Sequence, residues 1–231
     1  RKEESVIALE QLVEAQPEHA RVWIALADFE EARGAWEAAH VLLKQALVRV
    51  EKAGDAMTRT TICYRLAIAT QQLRRLDEAL SWAEQVLRTA PGHAKAHRKL
   101  VEVHRERCDW SGLVEALGRA AVHADTAEAN AYYAEAGQVL ERYLQNEEAA
   151  LAAYSKATKV DPTDRISLRR VAAISFRRGL WREYLEAWQR LQELETSIAR
   201  KLQLAWQGGQ VFERVGRLRE AQDQFERAIQ L

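Results

Sequence analysis

Three prolines, two cysteines and one methionine are all that 231 residues contain, and neither charge sign is in excess, with 34 Lys and Arg against 34 Asp and Glu. Each shortage excludes something. So few prolines, with ten glycines, leave no room for a long flexible linker. No apolar run approaches the roughly 20 residues that a membrane-crossing helix needs, and no signal-peptide pattern opens the chain. Membrane insertion is therefore not expected within this stretch. A net charge of zero argues against a nucleic-acid partner, because phosphate-backbone binders carry a basic excess. Cys63 and Cys108 make no disulfide framework and are expected as free thiols. They suit a reducing compartment, which favours the cytoplasm; a periplasmic location stays open if a signal or anchor lies outside this stretch. The chain begins inside a helical pattern, "RKEESVIALEQL", and stops on the apolar Leu231. Both ends read as cut from something longer, and uncapped apolar ends could also stack end to end.

The motifs of catalysis are missing too. There is no G-x-x-x-x-G-K-[ST] or G-x-G-x-x-G loop to cradle phosphate, and no G-x-S-x-G or His-Glu-x-x-His. The best metal candidate is His93, His97, His104 and Cys108, two pairs at helical spacing. The pairs start eleven residues apart, or about 16 Å along a helix, too far to share an ion. Carboxylates are many, but they alternate with arginine at helical spacing, as in "RLDEAL" and "ERAIQ", which marks solvated faces. The expectation is no enzyme, no metal and no cofactor.

What the sequence does contain is one phrase, repeated. "SVIALEQLVEAQPEH", "DEALSWAEQVLRTAPGH" and "EEAALAAYSKATKVDPTD" share an apolar helical period and a terminating proline. In "ARVWIALADFEEARGAWEAAHVLLKQAL", Trp23, Leu26 and Ala27 open the unit, Gly34 punctuates it, and Ala39, Leu43, Ala46 and Leu47 close it. Units begin near Ala20, Thr60, Ala94, Ala131, Arg165 and Leu202, at spacings of 40, 34, 37, 34 and 37. Ala39, Ala79, Ala150 and Ala221 share one slot, where a small side chain lets helices approach. Leu9, Leu43, Leu117, Tyr154, Trp188 and Phe225 share another, four residues on. Trp36, Trp110 and Trp181 hold the start of the second helix, a slot that Leu76 and Leu218 also fill, so these tryptophans read as packing. Second helices that end at Pro17, Pro91 and Pro162 alternate with others that lack proline. There the extra residues suit an added helical turn or a longer connection.

This pattern resembles the tetratricopeptide repeat, two helices per 34 residues, and the resemblance covers essentially the whole chain. It implies an all-α fold, a right-handed α-α superhelix of about six full repeats behind a leading half repeat at 1–19. The implied repeats run 20–59, 60–93, 94–130, 131–164, 165–201 and 202–231, in one solenoid domain. The match is weakest in the first helix of the 131–164 unit, where Gly137 stands where Leu is usual.

The resemblance also implies a function: a scaffold whose first helices line a concave groove for a protein or peptide partner. The slots it assigns to that groove hold Tyr64, Lys95, Arg98, Arg105, Tyr132, Arg142, Tyr143, Arg169, Phe176, Arg177 and Trp206. Arginine forks suit carboxylates, and exposed rings suit apolar anchors. The stretch "DRISLRRVAAISFRRGLWRE" carries Arg165, Arg169, Arg170, Arg177, Arg178 and Arg182 with no acid between Asp164 and Glu183. The expected ligand is thus a segment with acidic and apolar residues; the bland reading makes the arginines a solvated face. The Lys–Asn–Asn–Lys–Arg clamp that some members use on chaperone tails is absent, since the Asn slots hold Asp28, Ile68, Val139 or Ala173. A second reading makes the chain the regulatory or targeting arm of a larger enzyme or of an envelope machine that assembles polysaccharide or lipopolysaccharide.

Overall fold

The computed structural model describes Gln11 and residues 18–230. Leu9, Pro17 and most of the expected half repeat lie outside these residues, as does Leu231. The described residues form twelve α-helices and no strand. The helices are α1 (Ala20–Ala32), α2 (Trp36–Ala53), α3 (Ala56–Gln72), α4 (Leu76–Thr89), α5 (Ala94–Glu106), α6 (Trp110–Val122), α7 (Thr126–Arg142), α8 (Glu147–Val160), α9 (Arg165–Arg178), α10 (Trp181–Leu194), α11 (Ile198–Arg214) and α12 (Leu218–Gln230). The fold class is the all-α helical repeat. By packing, the chain divides into two compact units at Arg119/Ala120, inside α6.

The even-numbered helices start on Trp36, Leu76, Trp110, Glu147, Trp181 and Leu218, one slot of the sequence pattern. Each is reached by a tight turn with one left-handed residue: Gly34, Arg74, Cys108, Gln145, Gly179 and Gly216, at φ between 50° and 78°. Five of the six turns, all but that at Gln145, close in the Schellman manner. Ala35 N–H donates to Glu30 O at 2.9 Å, Arg75 to Thr70 O at 2.8 Å, Asp109 to His104 O at 3.0 Å and Leu180 to Ser175 O at 2.8 Å. Three of the six turns are made without glycine, at a steric cost of about 1–2 kcal/mol each.

The odd-numbered helices alternate in length. α3, α7 and α11 have 17 residues, whereas α1 and α5 have 13 and α9 has 14. They therefore start at Ala56, Thr126 and Ile198, earlier than the expected Thr60, Ala131 and Leu202. The extra residues of the proline-free units become helix, and the connections there are short. The cause is local. Asp55 accepts from Thr58 N–H and Asp125 from Glu128 N–H, so each cap starts its helix about a turn sooner. The connections at Pro91 and Pro162 run four residues, 90–93 and 161–164.

Packing follows the small-and-large slots. Ala39, Ala79 and Ala150 are fully buried, as are Leu43, Leu117, Tyr154 and Trp188. Where the large slot carries a ring, the facing helix carries glycine. A Cβ on Gly137 would lie 2.7 Å from the Tyr154 ring, and one on Gly209 2.5 Å from Phe225. A Cβ on Gly208 would overlap the Trp188 indole. Gly137 is thus a seat for Tyr154, and the usual Leu would not fit.

Candidate functional site

In the N-terminal unit the faces of successive first helices are tied together by charge. Arg65 of α3 reaches Asp28 at 2.6 Å and Glu31 at 3.0 Å on α1. Lys99 of α5 donates to Gln71 of α3 at 2.8 Å, and Gln71 donates to Glu106 at 3.0 Å. Arg74 also pairs with Glu106. Among the expected groove residues, Tyr64 is half-buried with its ring 5.3 Å from His93, and burial raises its phenol pKa. Lys95, Arg98 and Arg105 are exposed on α5.

The metal candidates have other work. His93 caps α5, its ring nitrogen accepting from Ala96 N–H at 3.1 Å. His97 pairs with Pro91 O at 2.7 Å and His104 with Asp109 at 3.0 Å. Cys108 is the left-handed turn residue. Among the described residues no three His, Cys, Asp or Glu are placed to hold a metal, and no helix is long and apolar enough to cross a membrane.

The C-terminal unit contains a cleft. α9 forms one wall, α11 the other, and α10 the floor. It comprises two adjoining hollows of about 510 and 320 Å³ that share Arg169, Leu191, Leu204 and Gln207. The larger hollow is apolar. Phe176 stands 41% exposed at its rim, in edge contact with Trp181 at 5.8 Å and tilted on Tyr184 at 5.5 Å. The Arg214 guanidinium lies 5.8 Å from the Phe176 ring. Trp188 is buried beneath, and its indole N–H donates to Leu204 O at 2.7 Å.

The smaller hollow is cationic. Arg165, Arg169 and Arg200 line it, with Glu195 as its carboxylate. Glu195 is committed to backbone: one oxygen accepts from Thr196 N–H at 3.0 Å and Ser197 N–H at 3.1 Å, and Arg200 stands 4.0 Å from the other. The Ser197 bond, with that from Thr196 and the nearby Arg165 and Arg200 charges, holds its pKa below the usual carboxylate range. Arg165 donates to Leu194 O.

The arginine run is partly neutralised from a distance. Arg177 pairs with Glu147 at 2.6 Å and approaches Glu141 at 3.7 Å; Arg178 pairs with Glu148 at 3.3 Å and Arg182 with Glu186 at 3.1 Å. Arg170 lies 3.7 Å from Glu141. Arg169 is exposed and has no ion-pair partner among the described residues.

Of the expected groove residues in this unit, the cleft unites Arg169, Phe176 and Arg177. Tyr132 is half-buried on α7, and Arg142 lies 5.6 Å from the ring of the exposed Tyr143. Trp206 is outside the cleft: it is 53% exposed and tilts on Phe225 of α12 at 5.0 Å. The lining of α11 is instead Arg200, Gln203, Leu204, Gln207 and Gln210. The pair Gly208–Gly209 could have given this register. With Trp188 and Phe225 seated on the two glycines, Trp206 turns toward α12 and Gln207 toward α9.

A tetratricopeptide-repeat family model matches residues 129–164, the α7–α8 hairpin. A search of curated proteins finds no match. Among solved structures, the C-terminal part of a TPR repeat-containing protein from Cytophaga hutchinsonii superposes with a TM-score of 0.55 at 9% identity, covering 98% of this chain and 87% of that one. A tetratricopeptide repeat protein from Parabacteroides merdae gives 0.50 at 15% identity, covering 91% and 79%. At these identities the likeness is one of fold. Residues 129–164 thus match the tetratricopeptide repeat, and the described residues share the all-α helical-repeat fold of these proteins.

Proposed function

We propose that the chain is a protein-interaction scaffold that holds a partner segment, and that in the C-terminal unit the segment lies in the cleft between α9 and α11. The observation that carries this reading is the exposed Arg169, without an ion-pair partner among the described residues, on the same cleft as the exposed ring of Phe176, over an apolar floor. An arginine fork next to an accessible ring is the composition of interface hot spots. Arg177 is the third contact residue, held in place by Glu147. In the N-terminal unit the proposed contacts are Tyr64 with Lys95, Arg98 and Arg105 on α5. The role is binding; the tetratricopeptide fold supports protein–protein interaction in general.

The test is to pan the whole chain against a displayed library of random 12-residue peptides. Enriched peptides should bind the chain in solution and compete with one another. Repeated panning with no enriched sequence would overturn the reading.

A further inference from the structure

We infer that the cleft of the C-terminal unit is a two-anchor site for an extended segment, taking a carboxylate at Arg169 and a bulky apolar side chain against Phe176 and Tyr184. The inference rests on the scaffold reading above and adds the chemistry and spacing of the ligand. Charge complementarity sets the first anchor. Three guanidinium groups, on Arg165, Arg169 and Arg200, surround a single carboxylate, Glu195, whose one oxygen is already committed to two backbone N–H groups. An acidic side chain would meet the surplus cation at Arg169 in a charge-assisted bond, which an arginine fork makes bidentate. The apolar floor and the balanced charge of the whole chain favour a peptide over a nucleic-acid phosphate.

Spacing follows from helix geometry. Arg169 and Phe176 are seven residues apart on α9, about 10 Å along its axis at 1.5 Å per residue. An extended chain in the polyproline II form rises about 3.1 Å per residue with three residues per turn, so side chains three residues apart point the same way about 9 Å apart and fit the two anchors. The opposite wall matches that length. Gln203, Gln207 and Gln210 stand at intervals of four and three on α11, exposed along the same cleft. A glutamine amide both donates and accepts, so this row can pair with the N–H and C=O groups of an extended backbone.

Fluorescence anisotropy with the whole chain tests this. The probes are fluorescein-labelled ten-residue peptides of Ser and Gly with one Glu and one Leu, separated by one, three or six positions. The three-residue spacing should bind at least tenfold tighter than either other spacing. Exchanging its Glu for Gln should weaken it about tenfold, and Arg169→Gln in the protein should erase that Glu–Gln difference. Arg169→Gln should leave a Leu–Ala difference intact, whereas Phe176→Ala should erase that one. Both side chains are exposed, and circular dichroism verifies that the variants keep their helix. Equal affinity at all spacings, or an undiminished Glu–Gln difference in Arg169→Gln, overturns the inference. If the panned peptides bind and none of the designed ones does, the two-anchor site falls while the scaffold reading stands; if neither binds, both fall.

Discussion

Consider the second helix at its third and seventh positions after the start in each unit. In α4 these are Ala79 and Ala83; in α10 they are Tyr184 and Trp188. Over the alanines, α3 and α5 come into direct contact, and the seam carries Lys99, Gln71, Arg74 and Glu106 in mutual pairs. Over the rings, α9 and α11 become the walls of a cleft with a hydrophobic floor. The same hairpin thus closes its inner face with small residues and ion pairs, or holds it open with large rings. Glycine makes the open version possible, since Gly208 lets the α11 backbone lie on the Trp188 indole.

The sharpest way to break this comparison is to remove the ring. Trp188→Ala should cost about 3–5 kcal/mol, the usual range for emptying a buried tryptophan site, and it also removes the indole N–H bond to the carbonyl of Leu204. Stability in repeat arrays is mostly a sum of neighbour terms. Hydrogen exchange should therefore speed up across α10, α11 and α12 and hold steady in α3 and α4. Equal loss of protection in both units would mean that they do not differ as argued.

Glycines sharpen it next. Gly137→Ala and Gly209→Ala place a methyl 2.5–2.8 Å from an aromatic ring, and overpacking of this kind costs about 1–3 kcal/mol, net of helix propensity. Gly118 in α6 of the N-terminal unit faces nothing within 4 Å, so Gly118→Ala should stabilise by about 0.5–1 kcal/mol through propensity alone. Opposite signs in urea denaturation are the expected result. The same sign at all three sites would sink the idea that rings in the C-terminal unit demand glycine seats.

These positions also show what could be read from sequence. Second-helix starts and turns were legible because they depend on local chemistry: a Trp or Leu after a turn residue, at the spacing of the period. The Ala and Leu slots were legible for the same reason. First helices start earlier than the repeat consensus implies at Ala56 and Thr126 because Asp55 and Asp125 act as caps, and a repeat consensus does not weigh a cap. The arginine run looked unopposed because its partners Glu141, Glu147 and Glu148 come from the preceding repeat, about 30 residues away. Trp206 faces Phe225 of α12 and does not line the cleft, because facing depends on which ring each glycine seats, and that is a tertiary fact. The same register puts Gln203, Gln207 and Arg200 on the cleft lining.

The ionic seam of the N-terminal unit should yield a smaller effect. Arg65 has a side chain only 14% exposed and bridges two acids of α1. Arg65→Ala should cost about 1–2 kcal/mol, between the values for exposed and fully buried pairs. Much of that difference should persist at 0.5 M salt, since part-buried pairs are poorly screened. A variant as stable as the parent in low salt would show that the seam is ornamental.

The smallest expected effect concerns mild acid. His40 on α2 is buried, with Glu78 3.7 Å from its Nε2. Burial depresses its pKa below 6.5; Lys44 and Arg75 push the same way, and Glu78 and Glu37 oppose them. The sign follows from linkage. The unfolded chain binds the proton more readily than the folded one, so the contribution is fully present above about pH 6.5 and is lost as pH falls toward the depressed folded value. Five of the six histidines lie in the N-terminal unit, and His123 is the sixth. Hydrogen exchange, corrected for intrinsic rates, should therefore show α2 and α4 losing protection between pH 7.5 and 5.5 while α9 and α10 hold. His40→Gln should flatten that response. If the wild type and His40→Gln lose protection alike, the mild-acid sensitivity belongs to another histidine of the same unit, and burial of His40 is not its source.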